Sequence, residues 1–197
     1  MRIILSLCMV LIVAGCSRSV PDARSGLTPA VLAATTQPLL LLEAPNVNAS
    51  ALLNQNARYG ETIDWRTGDD VSITFKQGVV VATRGFGDDL MSADVDQTLA
   101  MLQNRPTPQD YPRFLSRLDG EYQTEFESFL CRRTGRSAEA INSYGRIRQT
   151  VKTTELCRNP ARRFENIYWV GTDGTMWKSR QWVSPNIKYV ITERLVQ

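Results

Sequence analysis

The chain has 197 residues, 43% of them hydrophobic and 22% charged, with 23 Lys and Arg against 20 Asp and Glu for a formal net charge of +3. That length supports one domain with a real core, and the near-neutral balance argues against a nucleic-acid partner. There is no histidine, which excludes a Ser-His-Asp triad and histidine-ligated metal sites within the chain.

Met1 and Arg2 lead into an apolar run that closes on Val13, Ala14, Gly15 and Cys16. One positive residue, about a dozen apolar ones and a small-residue junction make a secretory signal. The run is shorter than the about 20 residues that span a bilayer. The order V-A-G-C resembles the lipobox of bacterial lipoproteins, in which the cysteine becomes the lipidated first residue of the mature chain. Residues 1–15 are thus expected as a lipoprotein signal peptide and Cys16 as the acylated (palmitate-type) residue. An ordinary secreted protein with a cysteine at its cleavage site, or a retained membrane anchor, fits the register less well. Ser17, where an inner-membrane retention signal has Asp, implies by the same resemblance a location on the outer membrane, facing the periplasm.

Residues 16–37 are Ser-, Arg-, Thr-, Pro- and Ala-rich with little periodicity and read as a lipidated tether, with one helical turn around Pro29 to Ala34. The domain is expected over 38–197. It opens with P-L-L-L-L-E-A-P, a short apolar run bounded by prolines that suits a buried strand. Val71, Ile73 and Phe75 alternate with Ser72, Thr74 and Lys76, Gln77-Gly78 reads as a turn, and residues 79–83 return as the second arm of a hairpin. Asp94 is placed to cap a short helix over Val95 to Leu102, ahead of N-R-P-T-P.

Further strands are expected over 121–131, with Tyr122 and Phe126 on one side and Glu121, Glu125 and Glu127 on the other, and over 146–157. Residues 164–170, a turn at 172–175, and 176–183 follow, then a last strand from Ile187 with Ile187, Tyr189 and Ile191 on one face. Short strands with polar turns at this spacing indicate an all-β fold, an antiparallel sandwich or barrel. Cys8 leaves with the leader, so Cys131 and Cys157 remain as one pair in an oxidising compartment. A structural disulfide is expected over a metal or redox site, since there is no C-x-x-C and no histidine to complete a zinc set.

Three segments are similar to one family. They are D-W-R-T (64–67) with D-D-V-S-I-T-F, then G-V-V-V-A-T-R-G-F-G-D-D-L-M (78–91), then F-E-N-I-Y-W-V with K-S-R-Q-W-V-S-P (178–185). Together they resemble the YjbF/GfcB lipoproteins associated with exopolysaccharide and group 4 capsule genes, over most of 38–195. The resemblance implies a largely β envelope domain at the outer membrane that serves polysaccharide assembly or secretion. It carries over no catalytic residues.

The residues leave several readings open. Arg84, Asp88 and Asp89 around Gly85-Phe86-Gly87 read as a polar rim for sugar hydroxyls, or as a hairpin exit in which Arg84 pairs with an aspartate. Trp65, Trp177 and Trp182, with Arg66 and Arg180 nearby, read as a stacking surface for sugar rings, or as core residues. Asp88 or Asp89 with Glu125 or Glu127 would be the paired carboxylates of a polysaccharide-modifying hydrolase, against a plain solvated face. Arg132, Arg133, Arg136, Arg146, Arg148, Lys152, Arg158, Arg162 and Arg163 read as an attraction for an anionic polymer, or as a solvated strand pair. The expectation is a non-enzymatic binding or docking module with no cofactor and no metal. Its partners are the membrane, through the lipid, with polysaccharide and envelope export proteins as candidates.

Overall fold

The computed structural model describes residues 22–118 and 123–197. The lipobox with Cys16, and Glu121 and Tyr122 at the head of an expected strand, lie outside the described residues. Twelve strands form one sheet: β1 (Leu39–Ala44), β2 (Ala49–Tyr59), β3 (Thr62–Arg66), β4 (Ser72–Lys76), β5 (Val79–Arg84), β6 (Leu90–Ala93), β7 (Tyr111–Leu118), β8 (Thr124–Ser143), β9 (Arg146–Arg158), β10 (Arg163–Gly171), β11 (Met176–Ser184) and β12 (Lys188–Val196). Two short helices accompany them, α1 (Pro29–Ala34) and α2 (Asp96–Leu102).

All pairings are antiparallel, in the order β5-β4-β3-β2-β1-β12-β11-β10-β9-β8-β7-β6. The sheet is thus two meanders, β1 to β5 and β6 to β12, stitched together where the first strand pairs with the last. It curls into a nearly closed barrel, so of the two expected all-β architectures the barrel is the one formed. Its edges, β5 and β6, are consecutive in sequence and joined by residues 85–89. The Gln181 side chain, projecting from β11, helps hold β5: its amide accepts from Val80 N–H at 2.9 Å and donates to Gly78 O at 2.9 Å.

The hairpin expected at 71–83 is present. Ile73 and Phe75 are buried, and Gln77 (φ 48°) and Gly78 (φ 87°) make a turn with two positive φ values, the geometry that matches strand twist. Gly78 is required there for space as well, since a Cβ would fall 2.3 Å from Met176 Cβ. α2 begins at Asp96 with Val95, not the expected Asp94, as its N-cap residue; Asp94 Oδ1 accepts from the Asp96 N–H at 3.2 Å from one place further back. α1 starts with Thr28 as N-cap and Pro29 in the first turn.

Four consecutive leucines in β1 are all buried because both faces of that strand are covered. Leu40 and Leu42 join the barrel core. Leu39 and Leu41 join Leu27, Leu32 and Leu195 in a second cluster, formed by the N-terminal segment lying along the outside. Arg24 fastens that segment, with Nε and Nη2 2.6 and 2.7 Å from the two oxygens of Glu43 and Nη2 3.2 Å from Glu193. These contacts hold the Arg24 guanidinium above its ordinary pKa, chiefly through the Glu43 hydrogen bond. Within the stretch read as a tether, residues from Asp22 onward are therefore packed on the domain.

β12 points Val190, Thr192 and Arg194 inward. Ile191 belongs to the other face; of the three residues expected on one face, Ile187 is buried in the core and Tyr189 packs against it, while Val190 is the fully buried residue of the strand. With Glu193 and Leu195 lying under the N-terminal segment, alternation alone does not mark the core side. β8 runs on to Ser143, well past the expected end at 131, and its hairpin with β9 folds over the outer wall. Ser143 Oγ reaches Glu193 Oε1 at 2.5 Å, and the Arg148 guanidinium lies 3.8 Å from the Trp177 ring centroid.

Cys131 and Cys157 are register partners on β8 and β9, both fully buried, and form the expected disulfide with their Cα atoms 4.0 Å apart. A cross-link over a separation of 26 residues restricts the unfolded chain. The Cys131→Ala/Cys157→Ala variant is expected to lose about 2–4 kcal/mol of stability, measured by urea unfolding. An unchanged midpoint would show that the bond contributes nothing.

Candidate functional site

The T-R-G-F-G-D-D-L-M block builds the exit of β5 and the entry of β6. Asp89 accepts from Gly85 N–H (2.9 Å), Phe86 N–H (3.1 Å) and Thr83 Oγ1 (3.0 Å), and Thr83 Oγ1 accepts from Leu90 N–H (2.9 Å). Gly85 and Gly87 both have positive φ, which turns Phe86 toward the core. Among the described residues Arg84 has no aspartate within ion-pair distance; it donates to Thr83 O and to Met91 Sδ. Asp88 instead pairs with the buried Arg117 at 3.2 Å, and the same guanidinium takes Glu127 at 2.5 Å and Glu125 at 3.4 Å. Arg162 also reaches Glu127, at 3.3 Å. The side of β8 read as a solvated face thus reaches a buried arginine, although the Glu125 side chain stays 55% exposed, and Phe126 on the opposite side stands out in solvent.

The tryptophans are core residues. Trp65, Trp169, Trp177 and Trp182 are 1%, 9%, 6% and 7% exposed. Trp182 stacks on Phe164 at 4.6 Å and 10°. A register shift between Trp182 and Ser184 lets Gln181, Trp182 and Val183 all be buried in succession. Arg66 pairs with Asp64 and Asp70 at 3.6 and 3.5 Å. Arg180 lies 3.4 Å over the Tyr189 ring and donates to Glu165 O. The eight expected surface residues therefore do not converge on one patch: Asp88 and Trp182 share Arg117 as a neighbour, and Arg84 and Asp89 share Thr83.

What converges is the inside of the barrel. Glu155 on β9 has no solvent exposure and accepts from Thr98 Oγ1 (2.6 Å), Tyr111 OH (2.9 Å), Arg113 Nη1 (3.1 Å), Asn166 Nδ2 (2.9 Å) and Tyr168 OH (2.9 Å). Burial, then the Glu155 charge, pushes both phenols well above the ordinary tyrosine range. Burial pulls the Arg113 guanidinium down, but Tyr168 and Glu155 outweigh it and leave its pKa raised. Cys131, Glu155 and Cys157 are close enough to form a metal-binding group, yet the disulfide ties both sulfurs and Glu155 is committed to its five donors.

Above this layer, at the end of the barrel that carries α2, a cavity of about 670 Å³ opens. Ile63, Leu99, Val151 and Val170 give it apolar walls, and its charged lining is Arg58, Arg136 and Arg194 with one carboxylate, Glu61, which accepts from Gln77. None of these three arginines has a carboxylate within ion-pair distance among the described residues. Arg136 touches Asn104 at 3.5 Å. Arg194 lies 5.4 Å from the Trp65 ring centroid, and its Nε is buried without a hydrogen-bond partner. Burial, and then the neighbouring charge of Arg58, pull the Arg194 guanidinium below its ordinary pKa, while Asp173 acts the other way. An under-compensated cationic group of this kind, at the wall of a cavity, is chemically an anion receptor. Sequence reading singled out Arg136 alone; the signal for Arg194 was a charge at an inward position of a strand.

The sequence pattern of the family described as "Group 4 capsule polysaccharide lipoprotein gfcB, YjbF" matches residues 12–195. The crystal structure of the hypothetical lipoprotein YmcC from Escherichia coli (K12) is similar, with a TM-score of 0.69 and 16% sequence identity over 85% of this chain and 88% of that one. That likeness is one of fold. No curated protein matches the chain.

The two raised phenols carry a pH dependence. A tyrosine whose folded-state pKa lies above its unfolded value stabilises the fold in its neutral form; that contribution is complete below about pH 10 and is lost as pH rises beyond it. The Tyr111→Phe/Tyr168→Phe variant is expected to be less stable at pH 7 and to lose stability less steeply above pH 10, measured by urea unfolding across pH. Identical alkaline slopes in the two proteins would contradict this.

Proposed function

The chain belongs to the group 4 capsule polysaccharide lipoprotein (GfcB/YjbF) family, and from that premise we propose that it is an outer-membrane lipoprotein, anchored through Cys16 and facing the periplasm. It serves exopolysaccharide or capsule assembly as a non-enzymatic module that holds an acidic segment of the polymer. The observation that carries this reading is the trio Arg58, Arg136 and Arg194 around one cavity with no carboxylate partner among the described residues. A planar guanidinium fork suits the carboxylate or phosphate of an acidic sugar, and the apolar walls suit the C–H face of its ring. The hydrolase reading gains no support, because Asp88 and Glu127 are committed to Arg117 and Asp89 to the turn.

Arg194→Met separates binding from folding. It removes a charge that the fold compensates poorly, so the unfolding midpoint is expected to hold or rise. Loss of a charged hydrogen bond, worth about 1.5–3 kcal/mol, weakens acidic-polymer binding by about tenfold or more. Calorimetric titration with acidic and neutral polysaccharides reads this, and the acidic affinity should fall as salt is raised. Equal binding by the variant, or binding indifferent to polymer charge, would remove the cavity from the proposal.

The anchor has its own test. Cys16→Ser is expected to abolish acyl labelling and release the protein from isolated membranes. Unchanged labelling and sedimentation would refute it.

A further inference from the structure

The place where the chain enters the domain gives the barrel an orientation. Ala23 N–H donates to Ser50 Oγ at 2.9 Å, and Asp22 lines a hollow with Glu43, Pro45, Asn48 and Ala49. These residues lie at the end of the barrel formed by the turns 45–48, 67–71, 85–89 and 185–187, where Asn46 Nδ2 donates to Asn186 O at 2.6 Å. By the antiparallel order this is the end opposite α2 and the arginine cavity. Residues 16–21 span at most about 20 Å when fully extended. A lipid on Cys16 therefore keeps this end within that distance of the bilayer surface.

The same end carries a largely apolar hollow among turns that hold Asp22, Asp69 and Asp70. It contains a cavity of about 380 Å³ whose lining includes Leu42, Ala44, Val47, Ala51, Val71 and Phe86. Val47 is 47% exposed, held in a single 3-10 turn between Pro45 and the left-handed Asn48 (φ 49°). Phe86 sits between two glycines of positive φ. On the far side of the barrel Phe126, 82% exposed, stands on β8 opposite Ser116, near the same end. Val47 beside the hollow and Phe126 across the barrel are exposed apolar groups at one end, a surface suited to meet another apolar phase.

We propose that this end of the barrel rests on the bilayer that holds the Cys16 lipid, with Val47 and Phe126 entering its surface and the apolar hollow receiving hydrocarbon. The inference rests on the reading of Cys16 as lipidated. It places the mouth of the arginine cavity on the side away from the membrane, open to polymer in the periplasm.

The test uses the full acylated chain in vesicles of phosphatidylethanolamine and phosphatidylglycerol. Val47→Cys and Thr172→Cys, at the two ends of the barrel, are each labelled with an environment-sensitive fluorophore. The Val47 label is expected to shift to the blue and to be quenched severalfold more by doxyl-labelled lipid than the Thr172 label, which stays open to aqueous iodide. A Val47 label open to iodide overturns the proposal. So does a label shielded from iodide but not reached by doxyl lipid, since its cover is then another part of the chain or a second copy. Hydrogen exchange on the unlabelled protein gives a second measurement, with vesicle-dependent protection expected at 45–50 and none at 172–175; the reverse pattern also overturns it. Flotation of Cys16→Ser reads the anchor separately. An anchored protein with an exposed Val47 label refutes the orientation alone, and an unanchored protein whose Val47 label still meets lipid refutes the anchor alone.

Discussion

Glu155, shut off from water in the middle of the barrel, accepts hydrogen bonds from side chains of α2, β7 and β10. Burying a carboxylate costs several kcal/mol, offset only when charge and hydrogen bonds surround it, and removing one partner of such a pair costs on the order of 3–5 kcal/mol. A slip of one residue in β7 would turn Tyr111 and Arg113 outward, and a slip in β10 would do the same to Asn166 and Tyr168. The carboxylate therefore sets register in two strands and, through Thr98, fixes α2 at the barrel end. α2 supplies Leu99 and Leu102 to the wall of the arginine cavity, so the candidate site depends on a charge that never meets a ligand.

The same economy explains the outer wall. A barrel strand with two apolar faces needs a second cover. β1 receives it from Leu27 and Leu32 of the N-terminal segment, while the long β8–β9 hairpin shields Trp169 and Trp177 through Glu139 and Arg148. Trp169 Nε1 donates to Glu139 at 2.7 Å, so the indole keeps its polar bond while its ring is covered. Aromatic residues that look available for stacking on sugar are consumed by this second layer and by the core.

Much of the fold was legible for plain physical reasons. Alternation at 71–76 and the Gln77-Gly78 turn mark a hairpin, and two cysteines in a chain read as exported mark a disulfide. Alternation failed where both faces of a strand are covered, as in β12, and where a register shift buries neighbours in succession, as at Trp182. The candidate site was harder to see. Arg58, Arg136 and Arg194 lie far apart in sequence and meet only after β2, β8 and β12 curl together. Arg194 and Glu155 did leave a trace, as charges in phase with buried neighbours: Val190-Thr192-Arg194 and Thr153-Glu155-Cys157. A charge in the core phase of a strand is the pattern that solvated-face reasoning passes over.

The pairing of β1 with β12, Leu40 opposite Arg194 and Leu42 opposite Thr192, also bears on how the domain comes into being. A chain delivered from its N-terminus presents Leu39–Leu42 first, and their partner strand arrives last. Until then β1 to β5 and β6 to β11 are two separate ribbons, each with an edge waiting to be paired. Contacts of such long sequence separation form slowly, and waiting edges invite wrong partners. The earliest cover on hand for the leucines is local, since Leu27 and Leu32 precede them in the chain. The N-terminal segment can thus shelter one face of β1 during the interval before the final strand closes the sheet.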